Sequence, residues 1–261
     1  MTFERNGYEL CKGLIPREAV RRIRAEMVDI MRPYCGGAVR GPDDLDEAFA
    51  QVTRRGGALR GNVLKLCSRL ASLPLLLAEP GVRRKIAEIG MRTPAIQAYS
   101  ILCMEPHVEK FLFEPHQDLK QRMSLKTIAF WVPLSDGPDV GGLGLAVGSH
   151  VQGPLRHGLS ARGQLVLPQD SYAGLPQIEL TDYEEGDCLL FSPYLIHWSI
   201  PNSGECLRWT VSLKIDEVSA PAHLAESIHP FVVEDYVDTR SNEERIAEAA
   251  RIAVAPEMKP A

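Results

Sequence analysis

A mainly β fold with flanking helices is what this sequence predicts, and three observations predict it. Up to about residue 95, apolar residues recur at three- and four-residue steps between charged ones, as on a helix. From Ile96 to about residue 216 the texture changes to short apolar runs separated by Pro, Gly and Asp turns, the pattern of a sandwich or barrel. The chain has 261 residues, 45% hydrophobic and 24% charged, enough for one well-cored domain. No linker, internal repeat or low-complexity stretch divides it, so residues 1–261 read as a single domain. It comprises a helical part over about 14–95, a β core over about 96–216 and a C-terminal extension, 217–261.

The elements follow in chain order. Pro16 suits a first helical position, and Val20, Ile23, Met27 and Ile30/Met31 then make one apolar face opposite Arg17, Glu18, Arg21, Arg22 and Arg24. Residues 36–62 are rich in Gly, Arg and Asp without periodicity and read as a loop. A loop of that length in a compact domain is usually functional. A short helix is expected around 70–78, starting or kinking at Pro74, and another over 81–89. Strands are expected at the apolar run 127–134, at 188–191 after Glu185, Gly186 and Asp187, and at 208–215. In the last of these, Arg208, Thr210 and Ser212 share one face while Trp209, Val211, Leu213 and Ile215 share the other. An arginine on such a polar face points into a barrel mouth if that face turns inward. Beyond Asp216 the tail reads as irregular, closing with a helix opened by a capping box at Ser241 to Glu244.

Charge and cysteine content exclude several classes. A formal net charge of −5 leaves no electrostatic footprint for nucleic acid. Arg54, Arg55 and Arg60 form a local basic cluster that reads as a solvated loop, and Lys120, Arg122 and Lys126 read as exposed hairpin charges. Six cysteines (Cys11, Cys35, Cys67, Cys103, Cys188 and Cys206) are scattered without a Cys-x-x-Cys pair, and no secretory or membrane-spanning segment stands out. A cytoplasmic, reducing location and a small-molecule partner, with neither membrane nor nucleic acid, are the expectation.

Chemistry enters with His116, Gln117 and Asp118. Two side chains separated by one residue lie on the same side of extended backbone. A His and a carboxylate so placed, with a distant second His, make the 2-His-1-carboxylate set of non-haem Fe(II) oxygenases. The pattern alone is weak, since composition predicts about one chance occurrence and the chain holds two. The other, His107 and Glu109, lies in a polar segment and reads as the decoy. His150 reads as part of a structural turn, and His157, His223 and His229 as surface or packing residues.

The surrounding order is more specific. His116-Gln117-Asp118 is followed by Trp131, Pro133 and Leu134, by the glycine-rich stretch 140–150 ending in Gly148, Ser149 and His150, and by Gly186, Asp187 and Phe191. His197 then precedes Arg208 by eleven residues. With Asn6, Gly7 and Tyr8 near the start, this succession over about residues 5–216 resembles the phytanoyl-CoA dioxygenase family. The resemblance implies a double-stranded β-helix (a jelly-roll, cupin-like barrel) with the N-terminal helices packed on one sheet. It implies His116, Asp118 and His197 as Fe(II) ligands and Arg208 as the anchor of the 2-oxoglutarate C5 carboxylate. Ser199 would assist that arginine, Trp131 would border the co-substrate and Gln97 would lie near its C1 carboxylate. The chain departs from the family at residues 101–104, where many members carry a lysine, and at Glu114, where an aromatic is usual. O2 would be the second co-substrate, and hydroxylation of a small metabolite, with release of succinate and CO2, the outcome. Desaturation, cyclisation or epimerisation would use the same ligands, and a non-catalytic metal-binding barrel is the alternative from another class. Asp118 fills the position that halogenases leave open, which argues against halogenation. Substrate determinants are expected in 36–62, 105–114, 152–178 and the C-terminal segment.

Overall fold

A computed structural model describes residues 2–37, 39–118, 126–137 and 139–219. The expected C-terminal helix, His223, His229, Lys120 and Arg122 lie outside these residues. The chain opens with a one-turn helix α1 (Thr2–Asn6) and strand β1 (Tyr8–Cys11), followed by α2 (Arg17–Met31). Val20, Ile23, Met27, Val28 and Met31 are fully buried along one face of α2, as the periodicity predicts, with Pro16 just outside the first turn.

Residues 36–62 correct the sequence reading. Most of this stretch is helical: α3 (Leu45–Arg54) and the start of α4 (Gly57–Cys67) occupy it. Leu45, Ala48, Phe49 and Val52 are buried at helical spacing, so tertiary packing outweighs the glycine and charge content around them. Then come α5 (Ser72–Leu75), a 3-10 turn at Leu76–Ala78, and α6 (Pro80–Glu88), matching the two short helices expected.

The β region comprises β2 (Pro94–Met104), β3 (Thr127–Pro133), β4 (Gly142–Ala146), β5 (Gly158–Leu159), β6 (Leu165–Val166), β7 (Gln177–Leu180), β8 (Cys188–Phe191), β9 (His197–Ile200) and β10 (Arg208–Glu217). A five-stranded sheet runs β1-β8-β3-β10-β2, a three-stranded sheet runs β7-β4-β9, and β5 pairs with β6. All the pairings are antiparallel. The large sheet is covered on both faces. Ile128, Phe130, Val132, Leu190, Val211, Leu213 and Ile215 pack against the helices, while Ala129, Trp131, Leu189 and Phe191 pack against Leu143 and Leu145 of the smaller sheet. Burial of this apolar surface, at about 25 cal/mol per Å2, is the main force joining the layers.

Helix α3 has a further consequence for β10. The Asp46 carboxylate accepts Trp209 Nε1–H at 2.8 Å and the Leu207 N–H at 2.9 Å, and Phe49 meets the Trp209 ring edge-on at 4.8 Å. The supposed loop thus fixes the start of the strand that carries Arg208.

Candidate active site

Between the two sheets lies a cavity lined by Met104, Phe113, Trp131, Phe191, Trp198 and Ser199, among others, with His116, Asp118, His197 and Arg208 in its wall. His116 and His197 are joined through their backbones. The His116 N–H donates to the His197 carbonyl and the His197 N–H to the His116 carbonyl, each at 3.0 Å. The Asp118 N–H donates to the Pro193 carbonyl at 2.9 Å, and the Ser199 N–H to the Phe113 carbonyl at 2.9 Å. Segment 113–118 therefore runs antiparallel to β9 and its lead-in, which sets both imidazoles side by side with centroids 4.3 Å apart.

Each histidine is held by its Nδ1. The His116 Nδ1 lies 2.7 Å from the Glu114 carbonyl and the His197 Nδ1 2.9 Å from the Leu195 carbonyl. A carbonyl only accepts, so both Nδ1 atoms carry the proton and both Nε2 atoms present a lone pair. The two Nε2 atoms face Asp118 at 3.9 and 3.8 Å, and the three candidate ligand atoms lie within 4.8 Å of one another. Burial, with the neighbouring His197, pushes the His116 pKa down to about 4 despite the opposing pull of Asp118. Burial would raise the Asp118 pKa, but Lys214 and the two imidazoles hold it well below the usual carboxylate range. Two neutral imidazoles and an anionic carboxylate aimed at one point form a donor set that fits a divalent cation.

Gln117, between the ligands, faces away from them and is buried. Its Nε2 donates to the Gly153 and Tyr194 carbonyls at 2.9 and 2.6 Å, and its Oε1 accepts the Leu155 N–H at 2.9 Å. Its backbone N–H donates to His157 Nε2 at 3.0 Å, while His157 Nδ1–H donates to the Leu155 carbonyl at 2.9 Å. His157 is a buried positioning residue rather than a surface histidine, and burial lowers its pKa.

Arg208 takes the inward orientation. Its Nη1 donates to the Ile200 and Gly142 carbonyls at 2.9 and 3.0 Å, leaving a buried Nε–H without an acceptor. Burial lowers its pKa, with Tyr183 opposing. Gly141 makes room for it: φ is +78°, and a Cβ there would lie 2.7 Å from Arg208 Nη1.

The remaining candidates divide. Trp131 and Ser199 line the cavity, Trp131 meeting Tyr183 edge-on at 4.9 Å and Ser199 Oγ accepting the Phe113 N–H at 3.1 Å. Gln97 does not join them. On β2 the even positions Ser100, Leu102 and Met104 face the cavity, whereas Gln97 lines a groove with Leu64, Lys65 and Ser68 of the helical layer. His107 has φ 58° and is exposed, and it belongs to no metal-ligand cluster among the described residues. His150 Nε2 lies 3.0 Å from the Glu4 carbonyl, a structural contact. Lys214 is the residue the sequence reading passed over: its Nζ lies 2.8 Å from Asp118 Oδ1. Alternation from Arg208 through Thr210 and Ser212 already placed it on the inward face.

The phytanoyl-CoA dioxygenase family profile matches residues 3–210. A 1-deoxypentalenic acid 11-beta-hydroxylase from Streptomyces exfoliatus is 25% identical over 218 residues, covering 77% of this chain and 72% of the relative. A non-heme monooxygenase, ThoJ, superposes with a TM-score of 0.56 at 17% identity, over 83% of this chain and 76% of that one. The epimerase SnoN, solved with Fe3+, alpha ketoglutarate and nogalamycin RO, gives 0.54 at 16% identity, over 92% and 89%. At these identities the structural likeness establishes the fold. Among the described residues, no helix is long and apolar enough to cross a membrane.

Proposed function

We propose residue roles for a chain that belongs to the phytanoyl-CoA dioxygenase family and is a non-haem, iron- and 2-oxoglutarate-dependent oxygenase. His116, Asp118 and His197 hold Fe(II), and Arg208 holds the distal carboxylate of 2-oxoglutarate. Bound iron supplies the activation of O2 that couples decarboxylation of 2-oxoglutarate, to succinate and CO2, with oxidation of a substrate C–H bond. The protein's own contribution is placement. The paired backbones of His116 and His197 fix both imidazoles, and their Nδ1–H bonds fix the tautomer that leaves Nε2 as a donor. The planar guanidinium of Arg208, already locked on two carbonyls, offers its remaining N–H groups to one carboxylate. Leu102, Met104, Phe113, Leu143 and Phe191 give the cavity an apolar wall that excludes water and suits a hydrocarbon portion of a small metabolite. Hydroxylation is the outcome we assign, in line with the hydroxylase named among the relatives.

The convergence of three ligand atoms within 4.8 Å, from stretches about 80 residues apart, carries this reading. Its test is succinate formation from 2-oxoglutarate with added Fe(II), ascorbate and a panel of small-molecule substrates. Activity abolished in Asp118→Ala and in His197→Ala supports it. No turnover together with no Fe(II) binding by the wild-type protein would instead make this a non-catalytic barrel.

A further inference from the structure

The inward face of β10 reads Arg208, Thr210, Ser212, Lys214: a cation at each end and two hydroxyls between. All four side chains line the same cavity. At about 3.4 Å per residue the two end positions are roughly 20 Å apart along the backbone, and both long side chains end in the same cavity. Arg208 and Lys214 are the two cationic side chains lining it, among the described residues. Arg208 spends Nη1 on backbone carbonyls and has room for a single carboxylate. The other end of a dianion therefore needs a second cation, and Lys214 stands beside the prospective metal ligand Asp118, with 24% of its side chain exposed.

We propose that Lys214 is a second co-substrate anchor, which holds the carboxylate next to the keto group of 2-oxoglutarate while Arg208 holds the far one. This rests on the iron and 2-oxoglutarate reading above and adds a residue to it. The Lys214 ammonium pairs with Asp118 at 2.8 Å. When a cation takes Asp118, that carboxylate's charge is shared, and the ammonium can turn its other donors to an incoming carboxylate beside it. Charge favours the same pairing. Arg208, Lys214 and Asp118 sum to one positive charge, and a divalent ion raises it to three, so a dianion is drawn in and one positive charge remains.

The test is binding, read without turnover. Wild type, Lys214→Met, Lys214→Arg and Arg208→Met are saturated with Fe(II) under anaerobic conditions. Each is titrated with 2-oxoglutarate and with 2-oxopentanoate, which has the same chain length but no far carboxylate. The charge-transfer absorbance of the ferrous keto-acid complex reports binding, and Co(II) titration reports metal affinity separately. Losing a charge-assisted hydrogen bond predicts that Lys214→Met weakens both acids by a similar factor, about 10- to 100-fold, with Lys214→Arg retaining most of the binding. Arg208→Met should weaken 2-oxoglutarate alone and erase the preference between the acids. Unchanged acid binding in Lys214→Met, or a change confined to Co(II) affinity, makes Lys214 a positioning residue for Asp118 and overturns the inference. Loss of 2-oxoglutarate binding alone in Lys214→Met places it on the far carboxylate and overturns it too. A wild-type protein that binds Fe(II) but gives no absorbance with either acid refutes the 2-oxoglutarate reading itself, an outcome distinct from these.

Discussion

Truncating Gln117 to alanine isolates what the middle residue of the His-Gln-Asp element does. Its side chain makes three hydrogen bonds to backbone groups at 2.6–2.9 Å, from three different places: Gly153, Tyr194 and Leu155. These partners fix the amide orientation, since the two carbonyls require the NH2 and the Leu155 N–H requires the oxygen. Alanine leaves all three backbone groups without their partner in a buried place. At about 1 kcal/mol per bond, and somewhat more for a buried group that water does not reach, the cost is about 2–4 kcal/mol. For a chain of this size that is roughly a 5–15 °C fall in Tm. The two flanking ligands lose their brace as well, which predicts about 10- to 100-fold weaker Co(II) binding. Urea unfolding of the metal-free protein and Co(II) titration measure the two effects. Gln117→Glu is the informative companion: it keeps the shape but sets a carboxylate against two carbonyls, and it should destabilise at least as much as alanine. Loss of less than about 0.5 kcal/mol with Co(II) affinity within twofold would refute the claim that this clamp positions the metal ligands.

Two further outcomes follow from the same geometry. Gly141→Ala, at a backbone φ of +78°, adds a Cβ that would clash with the Pro201 and Ile200 carbonyls, the latter an acceptor of Arg208, and would lie 2.7 Å from Arg208 Nη1. It should cost about 1–3 kcal/mol in stability and raise the Kd for 2-oxoglutarate more than that for Co(II), as read by unfolding and by anaerobic titration. The metal-free protein should also lose stability as pH falls. The folded pKa of His116 is depressed to about 4 and that of His157 is also lowered, so the unfolded chain binds these protons first. Their contribution is present above an unfolded value of about 6.5 and is lost as pH falls from there through about 4. Asp118, also depressed, adds its own loss only below its unfolded value. Urea midpoints measured from pH 7.5 to pH 4 check the direction, and a midpoint that stayed flat between pH 6.5 and pH 4.5 would contradict it.

Which parts were legible depended on the range over which the determining interaction acts. Asp118 was legible two residues after His116, and Arg208 on the polar face of β10, because strand alternation is local, whereas His197 and the roles of all four rested on the family resemblance. Lys214 shares that alternation but belongs to no motif of the sequence. Helices α3 and α4 were hidden by Gly, Asp and Arg content, although Leu45, Ala48, Phe49 and Val52 kept helical spacing. What makes α3 a helix is its burial against Trp209, some 160 residues away, which no local window contains. The role of His157 was unreadable for the same reason, since it acts through the backbone of Gln117, 40 residues earlier. Gln97 misled because its position in the chain was matched without its strand parity, and a bulge opposite Lys214 and Ile215 further shifts the register there.

The arrangement of the triad has a mechanical and an electrostatic basis in the chain itself. Three electron-rich atoms aimed at one point repel each other, and a chain that merely brought them together would relax by rotating a side chain away. Here rotation is opposed twice. Each imidazole would have to break its Nδ1–H bond to a carbonyl, and each sits on a backbone that is reciprocally paired with the other's. Asp118 is held by its backbone bond to Pro193 and by the ammonium of Lys214, which offsets its negative charge. The protein's own bonds therefore hold the donor set that a divalent ion would use, and such an ion would share Asp118 with the ammonium. The same strand whose outer face packs Trp209, Val211, Leu213 and Ile215 against the helices carries this ammonium on its inner face. Packing on the outer face of β10 thus fixes positions on the inner one, so a helical layer whose described residues do not line the cavity still helps place the groups that do.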